Sequence, residues 1–305
     1  MKITFFLSLL ILLLSSCNAP QNKQQDGTFN IVTTTSIITD LVENIGGENV
    51  HIEGVMGAGV DPHLYKASEG DVMKLSRADM IFYNGLHLEG KLVDIFERME
   101  YQNIKTVAVA DALDKNELIN SELFGGNFDP HIWFNIKFWE KITLFVADEL
   151  SKAVPEHEEE FQKNAQNYLQ ELKYLDVELH KKIAELPKDK RRLVTAHDAF
   201  SYFGKAFDFD VVGLQGLSTA TEAGVQDVQE TANYIIDHKV NAIFIESSVP
   251  RRTIEALQAS VNSKDHNVKI GGTLYSDALG NPGTVEGTYI GMFKYNVETI
   301  VNALK

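Results

Sequence analysis

Residues 155–186 read PEHEEEFQKNAQNYLQELKYLDVELHKKIAEL, and the spacing of their apolar side chains sets the organisation of the whole chain. These side chains recur at intervals of three and four: Phe161, Ala165, Tyr168, Leu172, Leu175, Leu179, Ile183 and Leu186. Polar residues dominate the positions between them, which is typical of one amphipathic helix. Pro155 favours a helix start and Pro187 stops it, so about 31 residues predict a helix roughly 45 Å long. A coiled coil is the alternative, but about four heptads without clear e/g pairing favour a single linking helix over 155–187.

Alternating β-rich and amphipathic stretches lie on both sides of this helix. Before it, strands are predicted at 29–34, 50–56, 80–83 and 106–110, and helices at 37–45, 70–76, 88–99 and 137–153. After it, strands are predicted at 193–195, 210–214, 242–245 and 268–272, and helices at 198–207, 225–238, 253–261 and 285–304. Such alternation predicts parallel sheets covered on both faces. The predicted fold class is therefore α/β, with two doubly wound lobes (29–154 and 188–305) joined by one long helix.

Composition narrows the class of protein. The chain has 305 residues, of which 44% are apolar and 23% charged, as in a globular protein with sizeable cores. Its net charge of −15 argues against binding to nucleic acid. A single cysteine excludes a disulfide framework, a cysteine-based zinc site and an iron–sulfur cluster.

The first 28 residues predict export and a lipid anchor. Lys2 precedes a short apolar run that has the layout of a secretory signal and is too short to span a bilayer. The sequence Leu-Ser-Ser-Cys at 14–17 resembles a bacterial lipobox, in which Cys17 becomes the lipidated N-terminus. A plain signal peptide is the alternative. We therefore predict a lipoprotein signal peptide over 1–17, a flexible tether over 18–28, and an extracytoplasmic protein anchored to a bacterial membrane.

Histidines carry the chemical signal. The chain has no GxSxG, glycine-rich phosphate loop, HExxH or CxxC motif. His63 and His131 each follow Asp-Pro, and the proline fixes the backbone just before the imidazole. His197 follows a predicted strand, and Asp277 lies in the loop after another. Since ligands bind beyond the carboxyl ends of parallel strands, these residues, two from each lobe, predict a metal site in the cleft.

The chain resembles the zinc/manganese receptors of bacterial ABC importers, which are extracytoplasmic solute-binding lipoproteins of the cluster A-I (cluster 9) type. The motifs that carry the resemblance are DPHLY (61–65), NGLHLEG (84–90), DPHIWFN (129–135), TAHDAFSYFGKAF (195–207), GLQGLST (213–219), ESSVP (246–250), LYSDALG (274–280) and GTYIGMFKYNVETI (287–300). The resemblance covers essentially the whole mature chain. It implies that His63, His131, His197 and Asp277 bind one Zn²⁺ or Mn²⁺ ion, which a cognate ABC permease takes up. It also implies two α/β lobes joined by one long helix.

Two features bear on the identity of the metal. Three imidazoles and one carboxylate form a tetrahedral set that zinc accepts readily, so ligand chemistry favours zinc. Against this, residues 113–123 lack the histidines that many zinc receptors carry before the second ligand, and the C-terminal half resembles the manganese branch. Zinc and manganese therefore both remain alternatives, with zinc slightly favoured. A zinc hydrolase is the rival function, but a catalytic zinc keeps one coordination position open for water, and four protein ligands would fill it. A role as an adhesin would be additional to metal transport.

Other residues complete the prediction. His87 and Glu246 are candidates to contact and orient the metal ligands, although either could be structural. Glycines at 271, 272, 280 and 283 are expected to let the loop with Asp277 move during metal release. We expect a monomer with no enzymatic activity.

Overall fold

The computed structural model describes residues 28–120 and 126–305 of the chain. The predicted signal peptide with Cys17, and the tether except Thr28, lie outside the described residues. Within the described ranges, no helix combines the length and the apolar character needed to cross a membrane.

The N-terminal lobe is built on a four-stranded parallel sheet with strand order β2-β1-β3-β4. Its elements are β1 (Phe29–Thr33), α1 (Ser36–Gly46), β2 (Val50–Gly54), α2 (Glu69–Leu75), β3 (Met80–Tyr83), α3 (Val93–Tyr101), β4 (Lys105–Ala108) and α4 (Ile136–Ala153). The Thr35 side chain caps α1 by accepting a hydrogen bond from the N–H of Ile38. Gly47, with a φ of 57°, follows the last turn of the helix, as expected of a residue free to adopt that backbone.

Helix α3 begins later than the sequence predicts. Instead of starting near Leu88, the chain makes a turn with positive φ at Gly85, Leu86 and His87. The buried carboxylate of Glu89 accepts hydrogen bonds from the N–H groups of Asn84 and Gly85. The helix starts only at Val93, because this side chain stabilises a turn where the apolar pattern predicts helix.

The C-terminal lobe contains two parallel strand pairs, β5–β6 and β7–β8. Its elements are β5 (Arg192–His197), α6 (Ser201–Phe207), β6 (Asp210–Gln215), α7 (Val225–Asp237), β7 (Ala242–Glu246), α8 (Arg252–Asn262), β8 (Lys269–Leu274) and α9 (Tyr289–Leu304). Strands β5 and β7 lie side by side. The carboxyl ends of the two strands, at His197 and Glu246, therefore lie next to each other.

The long linking helix is α5 (Glu158–Ile183), preceded by a 3₁₀ turn at Pro155–His157. At 1.5 Å per residue, its 26 residues span about 39 Å. The apolar face identified in the sequence is buried along the whole helix, against α1, α4 and α9. One continuous hydrophobic core runs from Ile31 in β1, past Leu172 in α5, to Phe293 in α9. The helix is therefore part of a core shared by both lobes, and it is more than a stiff spacer between them.

Candidate metal centre

Four buried side chains, two from each lobe, meet where the N-terminal and C-terminal lobes contact each other. Each of His63, His131, His197 and Asp277 offers one ligand atom, and these atoms all lie within 4.8 Å of one another. The Nε2 of His131 is 3.4 Å from that of His63 and 3.3 Å from that of His197. Asp277 Oδ1 is 3.5 Å from His131 Nε2 and 3.4 Å from His197 Nε2. Three nitrogens and one oxygen thus surround a space of the size that a first-row metal ion fills.

His63 lies in the irregular segment after β2, and its backbone is fixed by Asp61. Oδ1 of Asp61 accepts a hydrogen bond of 2.8 Å from the N–H of His63. Oδ2 of the same carboxylate accepts a hydrogen bond of 2.6 Å from the hydroxyl of Thr219, in the other lobe. The Asp-Pro-His sequence therefore forms a side-chain turn that presents the imidazole.

His131 has the same local turn as His63, and here the aspartate contacts the imidazole ring as well as the backbone. Asp129 Oδ1 accepts from the N–H of His131 and lies 2.7 Å from its Nδ1. The carbonyl of Asp129 accepts from the Tyr202 hydroxyl, and the carbonyl of Pro130 accepts from the amide of Asn84. A carboxylate at Nδ1 fixes the tautomer that leaves Nε2 free to bind metal.

His197 is the last residue of β5, and Glu246 is the last residue of β7. Because these strands are neighbours, Glu246 Oε1 accepts a hydrogen bond of 2.8 Å from the N–H of His197. Glu246 Oε2 lies 2.5 Å from His197 Nδ1, and both side chains are fully buried. Glu246 thus supports both the backbone and the ring of His197.

Asp277 lies in a tightly packed loop after β8. Its Oδ2 accepts a hydrogen bond from Ser248, so Oδ1 is the oxygen that faces the imidazoles. The carbonyl of Ser276 accepts from the indole N–H of Trp133 in the N-terminal lobe. A Cβ added at Gly280 would lie 2.8 Å from Glu286, so this glycine permits close packing. A Cβ at Gly271 or Gly272 would lie 2.7 or 2.6 Å from a neighbouring side chain, whereas Gly283 has a φ of 80° and nothing within 4 Å. Close packing thus accounts for three of the four glycines, and movement of the loop stays a prediction.

Burial and mutual charge set the protonation of the cluster. Burial lowers the pKa of His63 to about 3, which keeps this imidazole neutral. Burial also disfavours the charged form of His197, but the carboxylates of Asp277 and Glu246 outweigh it and hold the His197 pKa well above its usual value. Burial alone would raise the pKa of Asp277, yet His197 and the other imidazoles hold it well below its usual value. His197 therefore carries a proton near neutral pH in the metal-free protein, whereas the His63 ring is neutral.

The two other candidate residues have different places. Glu246 contacts His197 as described. His87 does not join the cluster, because the left-handed turn at Gly85–His87 leaves its imidazole exposed to solvent.

Sequence reasoning missed Asp61, Asp129, Asn84 and Glu89. The repeated Asp-Pro-His contained the signal for both aspartates, since Asp two residues before a backbone N–H commonly accepts its hydrogen bond. Within NGLHLEG, Glu89 holds the turn and Asn84 reaches the carbonyl before His131.

Comparison with known proteins gives matches over nearly the whole chain. Residues 31–303 match the family described as zinc-uptake complex component A, periplasmic. The chain is 48% identical over 283 residues to the manganese-binding lipoprotein MntA of Bacillus subtilis strain 168, covering 93% of this chain and 92% of that protein. It is 47% identical over 279 residues to the zinc-binding protein TroA of Treponema pallidum strain Nichols, covering 92% and 90%. The solved structure of periplasmic zinc-binding protein TroA from Treponema pallidum superposes with a TM-score of 0.89 at 47% identity, covering 91% of this chain and 99% of that one.

Proposed function

Because the chain belongs to the zinc-uptake complex component A family, we propose that it is an extracytoplasmic receptor that binds Zn²⁺ or Mn²⁺ and delivers it to an ABC permease. The relatives named above bind manganese in one case and zinc in the other, and the Bacillus subtilis protein is a lipoprotein. The metal is cargo, and one ion is carried per chain.

One observation supports this proposal above the others: four buried donor atoms from two lobes lie within 4.8 Å of one another. We assign His63, His131, His197 and Asp277 as the ligands. Four protein donors fill a tetrahedral coordination shell, whereas a catalytic zinc keeps a position for water. The donor set therefore supports a binding protein over a zinc hydrolase, and three imidazoles with one carboxylate favour zinc over manganese.

The location and assembly of the protein are part of the same proposal. Cys17 is the site of lipidation, and the lipid holds the receptor at the outer face of a membrane, where it meets its permease. The receptor needs no second subunit to bind its metal, since one chain supplies all four donor atoms, and we propose that it is a monomer. An additional adhesin role stays a prediction, because no surface feature of the described residues points to it.

Metal analysis of the purified mature chain tests the proposal. After metal removal and dialysis against equimolar Zn²⁺ and Mn²⁺, elemental analysis should find one metal ion per chain, with zinc in excess. His131→Ala should lose most of this metal. His238→Ala is the matched control, because His238 lies in the turn after α7 and its ring Nδ1 bonds only within that region.

The proposal fails if the wild-type chain holds no stoichiometric metal, or if His131→Ala and His238→Ala retain metal equally. Metal uptake by cells that carry the His131→Ala gene separates delivery from binding. Uptake at the wild-type rate would contradict a receptor function for this site.

A further inference from the structure

We propose that Thr219 and Asp61 form a latch between the lobes that keeps His63 on the metal and sets the rate of metal release. The inference rests on the proposed function and assigns positioning roles to two residues outside the four ligands. Thr219 acts through Asp61, and Asp61 acts on the backbone of His63.

Three of the four ligands lie close to one shared hydrophobic core. His131 is followed by Ile132, Trp133 and Phe134, which belong to the hydrophobic core shared by both lobes. That same core contains Phe200, close after His197, and Leu279, close after Asp277. Ala196, just before His197, packs in a second cluster, but the residues that follow each of these three ligands belong to the shared core, although the ligands come from both lobes.

His63 is attached to a different body. The apolar residues near it, Met56, Val60 and Tyr65, pack in a separate cluster between the N-terminal sheet, α2 and α3. The next residue, Leu64, is 49% exposed. His63, itself only 4% exposed, thus lies in a segment whose apolar side chains pack outside the core that carries the other three donors.

The three ligand imidazoles also differ in whether a carboxylate contacts the ring. Asp129 contacts Nδ1 of His131, and Glu246 contacts Nδ1 of His197. Among the described residues, no carboxylate oxygen lies within 4.0 Å of the ring nitrogens of His63, and Asp61 instead accepts a hydrogen bond from the backbone N–H of His63. His63 is therefore the ligand whose position depends most on what holds Asp61.

Thr219 holds Asp61 from across the cleft. Its hydroxyl donates a 2.6 Å hydrogen bond to Asp61 Oδ2, and the residue is only 7% exposed. Thr219 lies in the loop after β6, the strand whose Gln215 pairs with His197. The bond consequently joins the His63 turn to the strand beside a ligand of the other lobe. Asp61 is partly buried, and a hydrogen bond to a carboxylate is among the stronger kinds.

Breaking the latch should act on release more than on capture. Without the Thr219 hydroxyl, the His63 turn separates more often from the other lobe, and the metal is then held by three donors. An incoming ion still meets His131, His197 and Asp277 in place, so the association rate should change by less than about twofold. Loss of one charge-assisted hydrogen bond predicts release about tenfold faster, or more.

Thr219→Val removes the hydroxyl at nearly constant volume, and Thr221→Val is the matched control. Thr221 is exposed in the same loop and contributes its carbonyl to Gln215, which the substitution keeps. Stopped-flow mixing of Zn²⁺-loaded full-length mature protein with excess chelator gives the release rate. We expect about tenfold faster release from Thr219→Val and no change from Thr221→Val. Equal release rates for wild type and Thr219→Val would overturn the latch.

A double-mutant cycle tests whether the latch acts through His63. In the His63→Ala background the three remaining donors still bind metal, and Thr219→Val should then leave the release rate unchanged. An equal acceleration in both backgrounds would mean that Thr219 acts elsewhere, and the proposal would be wrong. Because Co²⁺ reports ligand geometry, the absorption spectrum of the Co²⁺-loaded Thr219→Val protein should match that of wild type.

The outcome separates this inference from the proposed function. If wild-type protein binds no metal, the proposed function itself fails. If wild type binds metal and Thr219→Val releases it at the wild-type rate, only the latch fails. Thermal unfolding of each metal-free variant shows whether a faster release merely reflects lost stability, which would also contradict the latch.

Discussion

Glu246→Gln should weaken metal binding although Glu246 is not assigned as a ligand. The wild-type carboxylate contacts two donors of His197: Oε1 accepts from its N–H at 2.8 Å, and Oε2 lies 2.5 Å from its Nδ1. When Nε2 binds metal, Nδ1 carries a proton and also needs an acceptor. A glutamine has one oxygen for these two donors, so in either orientation one buried donor faces an NH₂ group.

The expected change in Kd follows from the one buried N–H group that is left without an acceptor. A buried donor left without an acceptor costs about 1–3 kcal/mol. Since 1.36 kcal/mol is tenfold in an equilibrium constant, Kd for zinc should rise about 5- to 150-fold. Glu246 also helps to raise the pKa of His197 in the metal-free protein, so the variant loses part of the proton that competes with metal. The ratio of the two Kd values should therefore be largest near pH 8.5 and smaller near pH 6.

Competition with a chromophoric zinc chelator, measured from pH 6 to 8.5, is the assay. Glu255→Gln is the control, because Glu255 is an exposed residue paired with Arg251 on α8. Its Kd should equal that of wild type. A Glu246→Gln protein that binds zinc within twofold of wild type at pH 8.5 would refute the role given to this carboxylate. A ratio that grows as the pH falls would refute the charge argument.

Three further predictions concern the proton, the core and the anchor. Because the pKa of His197 is raised, metal binding should release the proton that His197 holds, and affinity should fall as the pH drops from 8 to 6. Calorimetry in buffers of different ionisation enthalpy that detects no released proton would contradict this prediction. Leu172→Ala should lower the free energy of unfolding by about 2–5 kcal/mol in urea titrations, because Leu172 is fully buried, whereas Tyr174→Ala on the exposed side of α5 should change it by about 0.5 kcal/mol or less. Cys17→Ala should move the protein from the membrane fraction to the soluble fraction of cells, since a lipid supplies about 0.8 kcal/mol per buried CH₂ group, and unchanged fractionation would exclude the lipid anchor.

The parts of the fold that depend on local pattern could be predicted from the sequence. The 3.6-residue period fixed the buried face of α5 from Phe161 to Ile183, and β-rich runs located the parallel strands. The start of α3 could not be predicted in this way. The apolar spacing around Leu88 favours a helix, but the Glu89 carboxylate stabilises a turn by binding backbone N–H groups, a competition that the apolar pattern does not record.

In the metal site, too, the residues that depend on local sequence could be predicted and those that depend on long-range contacts could not. The repeated Asp-Pro-His marked His63 and His131 because the turn that presents each ring is local. Glu246 is 49 residues from His197 in the chain, and Thr219 is 158 residues from Asp61, so their contacts depend on strand order and lobe packing. Three of the four glycines named near Asp277 lie against neighbouring side chains, and Gly283 has open space around it. Composition alone cannot distinguish a glycine needed for movement from one needed for close packing, and Gly280 is of the second kind.

The core shared through α5 couples the folding of the two lobes. Chain segments from both lobes cover the same helix, so a fragment that contains one lobe alone would leave much of that apolar face in water. A ligand that binds the folded state at the junction then stabilises all of the chain, by an amount that grows with the logarithm of its free concentration above Kd. Resistance to heat and to proteases becomes a gauge of how much metal the surroundings hold, and a starved receptor is the one most readily unfolded and degraded.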